Sequence, residues 1–209
     1  VILLLILSVL PSFSHSYFVS IYDYWWSVNS IPTKLSDFSS KPYSRHKEPW
    51  VKSIFDSVDW IERIYNNDKG EKIRLFAARS YDYKRLYHHP ELALSHGSNF
   101  KNEDIVMLPG DPEIPVFVLR SSSGSGIDAY VLLHEGKFIK DPVSHQIKEA
   151  FTQLFQTRKA MTLFYVSDTT APIADNFNKT SSASILTAAI RSFNANETVG
   201  VENWILYHY

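Results

Sequence analysis

Apolar side chains recur along this chain with two different periods. Val51, Ile54, Phe55, Val58, Ile61 and Tyr65 follow one another at steps of three and four, while Asp56, Asp59, Glu62 and Arg63 fall elsewhere. That spacing gathers the apolar set on one side of a helix. Pro49 suits its first turn, where a missing N–H costs nothing, and Asn66, Asn67, Asp68 and Gly70 suit its end. Ile73, Leu75 and Ala77 alternate with their neighbours, which predicts a strand. Residues 115–120 and 129–133 are β-rich runs on either side of a Ser/Gly stretch, and predict neighbouring strands joined by a flexible loop. Residues 137–140 predict a short third strand. Val143, Ile147, Ala150, Phe151 and Leu154 form a second helical stripe. Ile185, Leu186, Ala189, Ile190 and Phe193 form a third, with Ser181 or Ser182 as its cap. Residues 161–166 and 204–207 read as strands, and the aromatic stretch 17–26 as an opening strand. Residues 27–47 and 81–90 read as polar loops. The expected fold class is α+β: an N-terminal amphipathic helix packed on an antiparallel sheet, with additional C-terminal helices.

The first ten residues, VILLLILSVL, are apolar apart from Ser8, and Pro11-Ser12 breaks the run. Ser14-His15-Ser16 places small residues where a signal peptidase reads them. The run is shorter than the roughly 20 apolar residues a membrane span needs. Three segments are therefore expected: residues 1–16 as a signal peptide, 17–47 as an aromatic segment and polar loop, and 48–209 as one globular domain. The chain is expected to be secreted and extracellular, with no membrane attachment after cleavage.

Composition narrows the partners and the chemistry. There is no cysteine, so no disulfide, thiolate metal site or cysteine nucleophile exists, and the core must hold by packing alone. A cysteine-free secreted protein also fits delivery into another cell's reducing cytosol. The formal net charge of −1 gives no electrostatic footprint for duplex DNA. Asn178 and Asn196 head two sequons and are expected glycosylation sites. His88, His89, His96, His134 and His145 show neither HxxxH nor HExxH spacing, so no metal site and no cofactor is expected.

One constellation carries a specific chemistry. Glu113-Ile114-Pro115-Val116 precedes the Ser/Gly stretch, then come Gly126-Ile127-Asp128-Ala129-Tyr130-Val131-Leu132, Gly136 and Ser144-His145. With Tyr87-His88-His89 upstream, the pattern resembles the core of the microbial guanyl-specific ribonucleases (T1/N1 type), over residues 87–145. Attack of a 2′-hydroxyl on phosphate needs a base beside it and an acid at the leaving oxygen. The resemblance implies Glu113 as base, His145 as acid, and His88 or His89 as assistant to the base. The family's arginine after the aspartate, which would stabilise the transition-state charge, is here Ala129. Arg120 or Arg79 would have to replace it.

A secreted, catalytically silent ribonuclease-like scaffold resembles many effectors of powdery-mildew fungi. Their aromatic-x-Cys motif has a cysteine-free analogue in Tyr22-Asp23-Tyr24-Trp25-Trp26. The expected function is thus a secreted non-catalytic interaction protein, a host-directed virulence effector. It would bind a host protein or RNA through Tyr24, Trp25, Trp26, Tyr87 and His88. The first alternative is a secreted guanyl-type ribonuclease using Glu113, His145 and His89. The second is a carbohydrate-binding module, with sugars stacking on the Tyr/Trp cluster.

Overall fold

Alternation along the central strands decides the architecture. The structure, a computed structural model, describes residues 27–43, 49–88, 100–121, 125–152, 159–172 and 176–208. At 49, 88, 100–103, 121, 125, 170–172 and 196–208 it describes the backbone. The strands are β1 (Lys34–Leu35), β2 (Phe38–Pro42), β3 (Asp59–Asn66), β4 (Lys72–Ser80), β5 (Phe100–Leu108), β6 (Ile114–Ser121), β7 (Ser125–His134), β8 (Lys137–Phe138) and β9 (Met161–Pro172). The helices are α1 (Pro49–Phe55), α2 (Tyr83–His88), α3 (Pro142–Thr152) and α4 (Ser181–His208). All nine strands join one sheet in the order β1-β2-β3-β4-β9-β7-β6-β5, with β8 on β7. Every pairing is antiparallel.

The central strands are apolar on both faces, as in a sheet covered on both sides. On one face Ile73, Leu75, Ala77, Ala129, Val131, Phe164 and Val166 pack with Ala183, Leu186, Ile190 and Phe193 of α4. On the other, Phe76, Ala78, Tyr130, Leu132, Leu163 and Tyr165 pack with Val51 and Phe55 of α1 and with Tyr83, Leu86 and Tyr87 of α2. Phe117 and Tyr130 lie opposite each other and stack at 4.7 Å. The predicted strands at 73–77, 115–120, 129–133 and 161–166 and the helix from 143 are present, and the strand expected at 137–140 is reduced to Lys137–Phe138.

The expected α+β arrangement led by an N-terminal amphipathic helix is corrected: the protein is sheet-rich, with nine strands and four helices among the described residues. The 51–65 stripe splits into α1 and β3. Asp56 takes φ 49°, which ends the helix. Ile61 and Tyr65 are four apart, a spacing that serves period 2 as well as period 3.6. Tyr65 donates to Pro32 O at 2.6 Å from one side of β3, while Glu62 takes Arg74 Nε at 2.6 Å from the other.

Other expectations change for similar reasons. The 27–47 loop holds a 3₁₀ turn at Val28–Ser30 and the β1–β2 hairpin, whose Leu35 and Phe38 are buried. The 81–90 loop contains α2, because Tyr83, Leu86 and Tyr87 share one buried side. Residues 204–207 continue α4 instead of forming a strand. Thr180, not Ser181 or Ser182, caps α4, accepting from Ala183 N at 3.1 Å. The opening strand at 17–26 lies outside the described residues.

Candidate functional site

Two short connections bring a group of polar side chains together beneath the sheet. Strand β7 alternates, so Tyr130, Leu132 and His134 share the face that carries α1 and α2. A two-residue turn, Glu135-Gly136, follows with φ 49° and 70°, the left-handed pair that tight hairpins use. It pairs Lys137 back on His134. Ile139 N then bonds Leu132 O at 3.0 Å, and Asp141-Pro142 opens α3. Asp141 accepts from Ser144 N at 3.0 Å and Ser144 Oγ at 2.6 Å, and these bonds hold its carboxyl below the usual range. One turn in, His145 faces His134.

The partners come from α2, which packs against α1, α3 and β9. Tyr83 and Tyr87 are four apart, so both hydroxyls point to one side. Tyr83 Oη meets His134 Nε2 at 3.0 Å. His134 Nδ1 meets His145 Nε2 at 3.2 Å, and His145 Nδ1 meets Tyr87 Oη. The rings of His134 and His145 stand 5.0 Å apart at 89°.

Proton counting fixes the direction of this chain. Tyr83 spends its one proton on Lys159 O and accepts from Lys159 N at 3.0 Å. A neutral His134 must therefore donate to Tyr83 from Nε2 and accept at Nδ1. His145 then donates from Nε2 and accepts at Nδ1, so Tyr87 donates to it. The four groups form one directed chain with both imidazoles neutral. Burial agrees. It lowers the His134 pKa against the pull of Glu149 and Glu135. It lowers that of His145 to about 4, helped by His134 and Lys148. Burial, with Glu149 and Tyr83 nearby, raises that of Tyr87.

Glu149 completes the cluster. It lies four residues after His145, on the same side of α3. One ligand atom each from His134, His145 and Glu149 lies within 4.8 Å of the other two. The donors are two neutral imidazoles and a carboxylate, a set suited to a transition metal.

These polar contacts turn α3 around. His145 and Glu149 are half-buried, whereas Val143, Ile147 and Phe151 are 67%, 58% and 68% exposed. Of the apolar stripe that predicted a core-facing helix, Val143, Ile147, Ala150 and Phe151 point to solvent, and Leu154 lies outside the described residues. The polar side faces the protein, and α3 buries no residue fully.

The residues implied by the ribonuclease resemblance scatter. Glu113 is exposed on the β5–β6 connection, and the carboxylate brought beside His145 is Glu149 instead. Ala129 is fully buried in the α4-side core, on the opposite face of the sheet from His134. Arg120 pairs with Asp104 at 3.4 Å and Arg79 with Asp59 at 3.7 Å. Among the described residues, Lys148 adds to the lowering of the His145 pKa and Lys159 to that of His134, each behind burial. Tyr87, expected on a surface loop as a binding residue, is buried against His145. His88 ends α2 and only its backbone is described, while His89, Tyr24, Trp25 and Trp26 lie outside the described residues. Asn178 is exposed on a 3₁₀ turn, and Asn196 lies in α4 where only the backbone is described.

Sequence reasoning set His134 aside and did not single out Tyr83 or Glu149. Two signals pointed to Glu149 and His134: the His-x-x-x-Glu step inside a helical stripe, and a histidine in phase with the buried Tyr130 and Leu132. Comparison with protein-family models, with curated proteins and with solved structures finds no match. No helix among the described residues is long and apolar enough to cross a membrane.

Proposed function

We propose that the chain is a secreted, non-catalytic binding protein that engages a partner protein through the outer face of α3. The observation that carries this is the inverted helix: Val143, Ile147 and Phe151 stand exposed on one stripe at i, i+4 and i+8. Anchors at that spacing are what an amphipathic helix lays into an apolar groove. Lys148 is exposed one residue from Ile147, so a carboxylate on the rim of the groove complements it. A stripe of Val, Ile and Phe offers nothing to RNA phosphates, which favours a protein partner over RNA. The apolar run at residues 1–10 supports export.

The test uses the double variant Ile147→Ser/Phe151→Ser, checked for folding by circular dichroism. Anilinonaphthalene sulfonate should bind the folded wild-type chain and lose most of its fluorescence on the variant. Light scattering should give a monomer for both. Self-association that the variant abolishes would make the partner a second copy of the chain. RNA cleavage that disappears in both Glu113→Gln and His145→Ala would overturn the non-catalytic reading.

A further inference from the structure

The inner face of α3 carries a second consequence, separate from docking by its outer face. We propose that His134, His145 and Glu149 bind a divalent transition-metal ion of the zinc class, through His134 Nδ1, His145 Nε2 and a Glu149 carboxylate oxygen.

The distances fit. At metal–nitrogen lengths of about 2.0–2.1 Å, two tetrahedral ligands stand about 3.3 Å apart. The two imidazole nitrogens already face each other at 3.2 Å. Glu149 offers an oxygen within 4.8 Å of one nitrogen of each ring, and a side-chain movement would bring it to bonding distance. The far nitrogens fit as well. Metal-bound histidines fix their other nitrogen by a hydrogen bond to an oxygen. Here Tyr83 Oη holds His134 Nε2, and Tyr87 Oη holds His145 Nδ1.

Binding requires one proton to move. His145 Nε2 gives up its proton, and Nδ1 takes one and donates it to Tyr87 Oη. The imidazole stays neutral, and Tyr87 turns from donor to acceptor with its own hydroxyl proton directed elsewhere. His134 keeps the tautomer it already has. No net proton is released by the pair.

The donor set selects among metals. Two imidazoles and one carboxylate suit zinc and cobalt, while magnesium and calcium prefer all-oxygen shells. Three protein ligands leave a tetrahedral ion one position for water or a partner's side chain. The ion would also clip α3 to β7, holding the apolar stripe outward.

The experiment titrates the full chain with Zn²⁺ in a calorimeter and with Co²⁺ in a spectrophotometer. One equivalent of Zn²⁺ should bind, and Co²⁺ should give the intense visible bands of four-coordination, displaced by Zn²⁺ but not by Mg²⁺. His145→Gln should weaken Zn²⁺ binding at least 100-fold with the fold retained, and His134→Gln should do the same. Tyr83→Phe and Tyr87→Phe should weaken it about 10-fold without changing the stoichiometry. If His134→Gln does not fold, His145→Gln and the Co²⁺ spectrum of the wild type decide. Absence of one-equivalent binding by folded wild type would overturn the site. So would six-coordinate Co²⁺ alone, or binding unchanged in folded His145→Gln. None of these outcomes depends on whether the outer face of α3 docks a partner.

Discussion

Helix α4 packs on one face of the sheet, helix α3 sits against α2 on the other side, and the two follow opposite rules. Helix α4 turns Ala183, Leu186, Ala189, Ile190 and Phe193 onto the sheet and buries them all. Helix α3 carries an equally clear stripe and turns it outward, seating itself by His145 and Glu149. The difference lies in what awaits each helix. Beneath α4 the sheet offers Ala129, Val131, Phe164 and Val166, and burying apolar area is the dominant gain. Beneath α3 stand His134 and the tyrosine hydroxyls of α2, groups that cost free energy if left buried without partners. An amphipathic pattern thus predicts a helix reliably, and the chemistry of its neighbour decides which side goes in.

The largest test of this contrast is on α4. Leu186→Ala should cost about 2–5 kcal/mol in urea unfolding, because it opens a cavity in a closed core. A smaller, directional effect belongs to α3 in metal-free protein. His145 has its folded pKa near 4, below its ordinary value of 6.5. Its neutral form is favoured on folding, so its contribution is complete above about pH 6.5 and is lost as the pH falls towards 4. Protection factors of the α3 amides, corrected for the intrinsic exchange rate at each pH, should therefore fall across that window while those of α4 hold. The fall should be less than tenfold per pH unit, because solvent reaches the ring. His145→Gln should weaken that pH dependence and leave the part that His134, whose pKa burial also lowers, contributes. Smaller still, Tyr87→Phe should cost about 0.5–1.5 kcal/mol by removing the donor to His145 Nδ1. A loss no larger in α3 than in α4 would break the link to this hydrogen bond.

Particular residues show what the sequence could reveal. Strands β4, β6, β7 and β9 were legible because alternating or continuous apolar runs stood between clear turn signals. The helical form of α3 was legible, but its orientation was not. His134 and the hydroxyl of Tyr83 come from segments 11 and 62 positions before His145. No local pattern reveals that meeting. Ile61 and Tyr65 misled because a four-residue step satisfies both periods. The pairing partner that settles the matter, β4, lies outside any local window. The ribonuclease-like spacing from Glu113 to His145 is linear, whereas the sheet places Ala129 and His134 on opposite faces.

The central claim is that polar contacts seat α3 and leave its apolar stripe free. Thermal unfolding of Val143→Ser/Ile147→Ser/Phe151→Ser tests it most directly. Surface substitutions away from special features usually stay within about 0.5 kcal/mol each. The account predicts a melting temperature within a few degrees of wild type and well above that of Leu186→Ala. A fall as large as that of Leu186→Ala would show that the stripe is core, and would contradict the inverted seating of α3.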